Sequence, residues 1–199
     1  MLPPAYGSLA TGLQMKRQHH EVLLIRGGTD TVGLMAVVLG KQLGATVIAT
    51  TRSKASLATL RRYGADYPLL DDQQLTAAIH KIVPEGVDKT LELVGFTTLL
   101  QDLALTRLGG QVCFTGALGG QWTYPDFSPF MIPTGKYLTS YTGEASDLPV
   151  SALADVLELV KKAQITLPIA KVYHGLEEVG QAQANLESGQ FNGKHVVVL

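Results

Sequence analysis

The stretch EVLLIRGGTDTVGLMAVVLGKQLGATVIATTRSK, residues 21–54, decides the fold. Val22 to Ile25 is a short apolar run of the kind buried in a sheet, and Gly27-Gly28 turns the chain at its end. A helical stretch opens near Thr31, and a second apolar run, Val47 to Thr50, ends in Thr51, Arg52, Ser53 and Lys54. Strand, tight turn, helix and strand make a βαβ unit of the size that accommodates dinucleotides. Such a turn brings free backbone N–H groups and the positive end of a helix to one spot, where a pyrophosphate can be held.

Outward from this unit the alternation continues. Ser53 to Tyr63 reads as a helix, with Ser53 placed to cap it and Gly64 to close it. Tyr67 to Leu70 is a short strand, and a helix from about Gln73 to Val83 stops at Pro84. Val87 to Val94 is a strand turned by Gly95, Thr97 to Thr106 a helix ending at Gly109-Gly110, and Gln111 to Thr115 and Leu138 to Thr142 are strands. Six near-continuous apolar strands between helices predict an α/β fold with a doubly wound parallel six-stranded sheet of the Rossmann type. Ligand is then expected at the carboxyl ends of the strands, near the switch point between the first and fourth.

The tail differs in character. Pro149 to Gln164 is a long amphipathic helix, followed by a strand-like Ile169 to Tyr173, a helix Leu176 to Ser188 and a strand His195 to Leu199. Residues 1–148 are therefore read as a cofactor domain, and 149–199 as a C-terminal helix with a strand–helix–strand appendage outside the main sheet. Ala117 to Lys136 is longer than a bare connection needs and carries Trp122, Tyr124, Phe127 and Phe130 among three prolines. It is either a lid, pocket wall or interface cover, or a set of aromatics packed over a sheet edge.

Bulk properties exclude several classes. The 199 residues are 46% apolar and 17% charged with a formal net charge of −1, so no long-range field favours nucleic acid or an anionic membrane. A single cysteine, Cys113, rules out an internal disulfide or a multi-cysteine zinc site, and its apolar surroundings read as those of a buried, inert thiol. No apolar run approaches the roughly 18 residues needed to span a bilayer. MLPPAYGSLA has neither the charged nor the apolar region of a signal peptide, so a cytoplasmic location is expected.

The chemistry-bearing residues centre on the first turn. Gly28 suits the tight turn and Gly33 close helix–strand contact, but Thr31 stands where a middle glycine is common, and Asp30 sits among the phosphate donors. A carboxylate about 5 Å from a phosphate charge costs roughly 3 kcal/mol at an effective dielectric near 20. Asp30 is accordingly expected to face solvent or to cap the helix that follows. The alternative to a nucleotide site is an unliganded strand–helix turn. At the end of the second strand the acid that would accept from a ribose 2′-hydroxyl is absent, and Arg52 and Lys54 stand among hydroxyls instead. Two cations there suit a 2′-phosphate, hence NADP(H), although both also suit an ordinary helix start. Tyr141 and Thr142 either line a nicotinamide pocket or pack. There is no Tyr-x-x-x-Lys pair, no metal-ligand spacing, and no hydrolase or triphosphatase loop, so no catalytic residue and no metal ligand is assigned.

Several segments, in order along nearly the whole chain, resemble the medium-chain dehydrogenase/reductase superfamily in its zinc-free quinone oxidoreductase branch. They are AYGSL (5–9), VLLIRGGTDTVGL, GATVIATTRS, DKTLELVG (88–95), GGQVCFTGALG (109–119), IPTGKYLTSYTG (132–143) and the terminal GKHVVVL. The resemblance implies that Thr29, Asp30, Thr31 and Val32 match the pyrophosphate segment and that Arg52 matches the 2′-phosphate end of the second strand. It implies that Val94 and Gly95 flank the adenosine ribose, and that Thr115, Gly116 and Ala117, with Tyr141 and Thr142, face the nicotinamide. It further implies a GroES-like catalytic lobe upstream of this stretch, absent here, and a homodimer formed through the sixth strand. The implied activity is hydride transfer from NADPH to a quinone or similar carbonyl or enone acceptor. A binding or regulatory module without turnover, or a fragment inactive without that lobe, is the competing reading.

Overall fold

A computed structural model describes every residue except Gln18, Gln190 and Asn192. Helix α1 (Leu2–Gly7) runs into a π-helical turn, Ser8–Gly12. Then come β1 (Val22–Arg26), α2 (Thr31–Gln42), β2 (Thr46–Thr51), a 3-10 turn (Lys54–Ser56), α3 (Leu57–Arg62) and β3 (Tyr67–Leu70). The second half follows with α4 (Leu75–Ile82), β4 (Val87–Glu92), α5 (Phe96–Leu105), β5 (Thr106–Phe114) and β6 (Tyr137–Ser140). The tail holds α6 (Val150–Lys161), β7 (Ile169–His174), α7 (Val179–Glu187) and β8 (Lys194–Val198).

Six parallel strands lie in the order β3-β2-β1-β4-β5-β6, the doubly wound arrangement expected from the sequence. Strand order reverses between β1 and β4, and a crevice opens at their carboxyl ends. Alternation along β1 divides the core. Leu23 and Ile25 join Leu34, Val38, Val47 and Leu91 beneath α1 and α2, while Leu24 and Ile48 pack with Leu75 and Ile79 of α4. Helix α5 covers Val112 with Leu99 and Leu103.

Helix α6 places Val156 in the first of these clusters, where Ile165 and Leu167 pack against it, and the Tyr63 phenol donates to the Leu167 carbonyl. What stands apart begins later. Strands β7 and β8 form their own parallel pair, with Tyr173 buried between its sheet and α7, where it takes a hydrogen bond from Asn185. This matches the appendage read from the sequence.

Four local details depart from the sequence reading. Residues 2–12 are helical although they carry no helical periodicity; Pro3 and Pro4 sit in the first turn, where their missing donors cost nothing. Strand β5 starts at Thr106 rather than Gln111, with a register shift between Val87 and Lys89 of β4 that takes up the extra residues. Ser53 makes no side-chain cap. The left-handed backbone of the first turn sits at Gly27 (φ 74°), not Gly28.

Gly33 carries the close approach of α2 to this turn: a Cβ there would lie 2.7 Å from the Gly28 Cα and 2.8 Å from the Gly27 carbonyl oxygen. Those neighbours are backbone and cannot rotate away. Gly33→Ala is expected to destabilise the protein by about 2–3 kcal/mol, read as a fall in urea midpoint, whereas Gly180→Ala, which meets open space, should not.

Candidate cofactor site

Two adjoining clefts lie at the carboxyl ends of the strands. The first, about 270 Å³, is bounded by Gly27, Thr29 and Asp30 of the β1–α2 turn, Thr50, Thr51 and Arg52 at the end of β2, Asp71 after β3, and Val94, Leu118 and Gly119. The second, about 240 Å³, lies between Pro4, Asp30, Val32, Leu93, the run Thr115, Gly116, Ala117 and Leu118, and Trp122. Asp30 and Leu118 belong to both, so the pair forms one path across the switch point.

The turn is held from below. Gly28 N–H donates to the Thr50 carbonyl at 2.9 Å, and Gly27 N–H to the Thr50 hydroxyl. Asp30 is the N-cap of α2, its Oδ1 accepting from Gly33 N at 2.5 Å. Of the two positions expected for this carboxylate, it takes the capping one. Burial raises its pKa, against the opposing pull of the Gly33 and Val32 amides and the chain's amino group.

The facing wall is built on Glu92, the last residue of β4. Its fully buried carboxylate accepts from Val94 N at 2.8 Å, Gly95 N at 2.5 Å and the Thr98 hydroxyl at 2.9 Å. The Thr115, Leu118 and Gly119 amides in turn donate to carbonyls of Glu92, Leu93 and Val94, zipping the second wall to the first. Beside Glu92, in register on β1, is Arg26, 1% exposed. Its guanidinium donates to Asp102 at 3.0 Å, to Asp71 at 2.9 Å and to Gln101. Burial pushes the Glu92 carboxyl up to about 7 despite its three donors, and holds Asp102 well above the ordinary carboxylate range with Arg26 pulling the other way.

Of the residues predicted from the sequence, Thr29, Asp30, Arg52 and Val94 meet in the first cleft, and Val32, Thr115, Gly116 and Ala117 in the second. Gly28 is buried behind the turn, and Thr31 and the exposed Lys54 line neither cleft. Gly95 (φ 110°) packs its backbone against Ala117 and Gln121. Tyr141 is buried against α1 and donates to Asp147 at 3.0 Å, and Thr142 is exposed; neither lines these clefts. The aromatic loop divides. Tyr124 and Phe127 pack on Phe96, Trp122 borders the second cleft, and Phe130 is 98% exposed.

Sequence reasoning missed Arg26, Glu92, Asp71 and Asp102. The available signal was a charge at the last position of each of two neighbouring apolar strands, VLLIR and VDKTLE. Among the described residues no group of three or more His, Cys, Asp or Glu is placed to hold a metal, and no helix is long and apolar enough to cross a membrane.

The crevice and the strand order define an α/β protein of the Rossmann type. The sequence pattern of the zinc-binding dehydrogenases matches residues 31–161, and the chain belongs to that family, within the medium-chain dehydrogenase/reductase superfamily. A probable quinone oxidoreductase of Leishmania amazonensis is 27% identical over 192 residues, covering 89% of this chain and 56% of the relative. An NAD-dependent alcohol dehydrogenase of Sulfolobus acidocaldarius is 29% identical over 181 residues, covering 88% and 49%. The crystal structure of AibC superposes with a TM-score of 0.83 at 25% identity over all of this chain and 54% of that one. The chain thus spans about half the length of the curated relatives named here.

The Glu92 carboxyl makes stability depend on pH. With an ordinary value of 4.5 and a folded value of about 7, it holds its proton more tightly folded than unfolded. Its contribution therefore falls as pH rises from about 4.5 to 7 and is level above, by an amount on the order of 3 kcal/mol. Relative to Glu92→Gln, which cannot ionise, wild type should lose melting temperature between pH 5 and pH 8. A wild-type-to-variant gap that is the same at both pH values would show that Glu92 does not titrate there.

Proposed function

We propose that the two clefts bind NADP(H), and that the chain forms the cofactor half of an oxidoreductase passing hydride from NADPH to a quinone or similar carbonyl or enone acceptor. The observation that carries this reading is the joined path over the switch point. It has an arginine, not an acid, at the end of β2 and a small apolar cleft at the end of β5. The shape fits a dinucleotide: the glycine turn leaves room at the start of α2, and Arg52 is exposed at the far end of the first cleft. One residue opposes the fit, since the Asp30 carboxylate occupies the amide of Gly33 that an anion would otherwise use.

Bound there, the nicotinamide supplies the hydride. Arg52 holds a 2′-phosphate, and Thr29 and the α2 terminus hold the pyrophosphate. Pro4, Val32, Leu93 and Trp122 exclude water from the second cleft, whose one ionisable side chain among the described residues, Asp30, is engaged as a cap. Reduction of a quinone needs no strong acid or base, because the reduced product takes protons from solvent, and a site without a catalytic dyad suits it. The quinone oxidoreductase relative supports this class of acceptor, and the NAD-dependent relative makes the choice of cofactor the first thing to measure.

Arg52→Ala is expected to weaken NADPH binding about tenfold or more while leaving NADH little changed, by fluorescence titration; equal losses would refute the 2′-phosphate role. Asp30→Ser keeps a capping hydroxyl and removes the charge, so both cofactors should bind several-fold more tightly. Stopped-flow oxidation of NADPH by a simple quinone tests turnover, and binding without oxidation would reduce the chain to a cofactor-binding module.

A further inference from the structure

The π-helical turn after α1 reaches the second cleft from behind. Gly7 faces the Tyr141 ring and Gly12 the Cys113 sulfur so closely that neither position admits a Cβ. That approach buries Ser8 completely and sets its hydroxyl against the end of β5. Three contacts follow in a row: Ser8 Oγ to the Pro4 carbonyl at 2.7 Å, Ser8 Oγ to Thr115 Oγ1 at 2.9 Å, and Cys113 Sγ to Thr115 Oγ1 at 3.5 Å.

A hydroxyl has a single proton, so the directions in this row are fixed. The Pro4 carbonyl can only accept and takes the Ser8 proton. Ser8 Oγ must then accept from Thr115, whose proton is engaged in turn. Cys113 Sγ lies 3.5 Å from Thr115 Oγ1, whose own proton is engaged at Ser8, so the buried thiol is the donor in that contact. What remains on Thr115, which lines the second cleft, is a lone pair.

We infer that the Pro4–Ser8–Thr115 relay makes Thr115 a one-way acceptor in the second cleft, selecting a nicotinamide ring whose 3-substituent carries an N–H donor. The ligand chemistry it reads is the primary carboxamide. A methyl ketone in its place offers oxygen alone and finds no donor in Thr115. Ser8 is a positioning residue that acts through Thr115, and the inference rests on the cofactor reading proposed above.

The test compares binding of NADPH with that of its 3-acetylpyridine analogue, in which CH₃ replaces NH₂, for wild type, Thr115→Val, Thr115→Ser and Ser8→Ala, with melting curves alongside. Wild type should favour NADPH by about five- to tenfold, the worth of one hydrogen bond. Thr115→Ser should keep that ratio. Thr115→Val should lower it to about twofold or less by losing NADPH affinity. Ser8→Ala should also lower it, by a different route: the freed Thr115 proton can turn to the ketone, so the analogue gains. A merely structural role for Ser8 would weaken both ligands equally and leave the ratio alone. A wild-type ratio near one, loss of the ratio in Thr115→Ser, or a ratio that survives Thr115→Val or Ser8→Ala overturns the inference while leaving the cofactor site intact. Failure of wild type to bind NADPH at all overturns the cofactor reading and this inference with it.

Discussion

A guanidinium buried at the end of the central strand sets the terms for everything above it. Arg26 ties together β1, the segment after β3 through Asp71, and α5 through Asp102 and Gln101. Losing one member of such a set leaves a charge uncompensated in the interior, at a cost of about 3–5 kcal/mol. One cation, however, stands among three carboxyl groups, because Glu92 is its neighbour in register. Burial raises the pKa of both Glu92 and Asp102. Burial thus favours the neutral form of each, which eases the excess of negative charge around Arg26. Asp71, the member that reaches the first cleft, is the one held by Arg26 at 2.9 Å, so its charge is muted where a phosphate would approach.

Above this layer, the clefts owe their dimensions to glycines placed where backbone meets backbone or ring. Gly33 lets α2 close on the turn at Gly28, and Gly7 and Gly12 let the first helix and its π turn press on β5 and β6. The β4 and β5 ends are then zipped by amides of residues 115–119 donating to carbonyls of residues 92–94. Cleft walls made in this way are held by the main chain on both sides and differ from loops that fold over a ligand.

Much of this was legible in the sequence because strand and helix periodicities are strong over Val22 to Ser140. Apolar strands bounded by glycine gave the sheet and the location of its crevice, and Arg52 was found by asking what replaces an acid at one position. Other features were not legible for physical reasons. Residues 2–12 are short, proline-bearing and stabilised by tertiary contact, so their helicity has no local signature. Arg26 and Glu92 read as strand-end charges because nothing local says that two strands adjacent in space are remote in sequence. Tyr141 reads from the sequence equally as pocket lining and as packing, since the same residue type does both, and only Gly7 and Asp147 decide where its ring and hydroxyl go. The hydroxyl row from Ser8 to Cys113 spans over a hundred residues and has no pattern to find.

Asp30 has a meaning beyond its charge. By capping α2 with its own carboxylate, the chain supplies an anion to the very helix terminus that a phosphate would seek. That anion is tethered a few bonds away and is present at an effective concentration no free ligand reaches. The turn is consequently ordered before any nucleotide arrives, and a nucleotide that enters does so as the challenger in an intramolecular competition. Occupancy of such a site answers to how readily the resident lets go as well as to how much nucleotide is present.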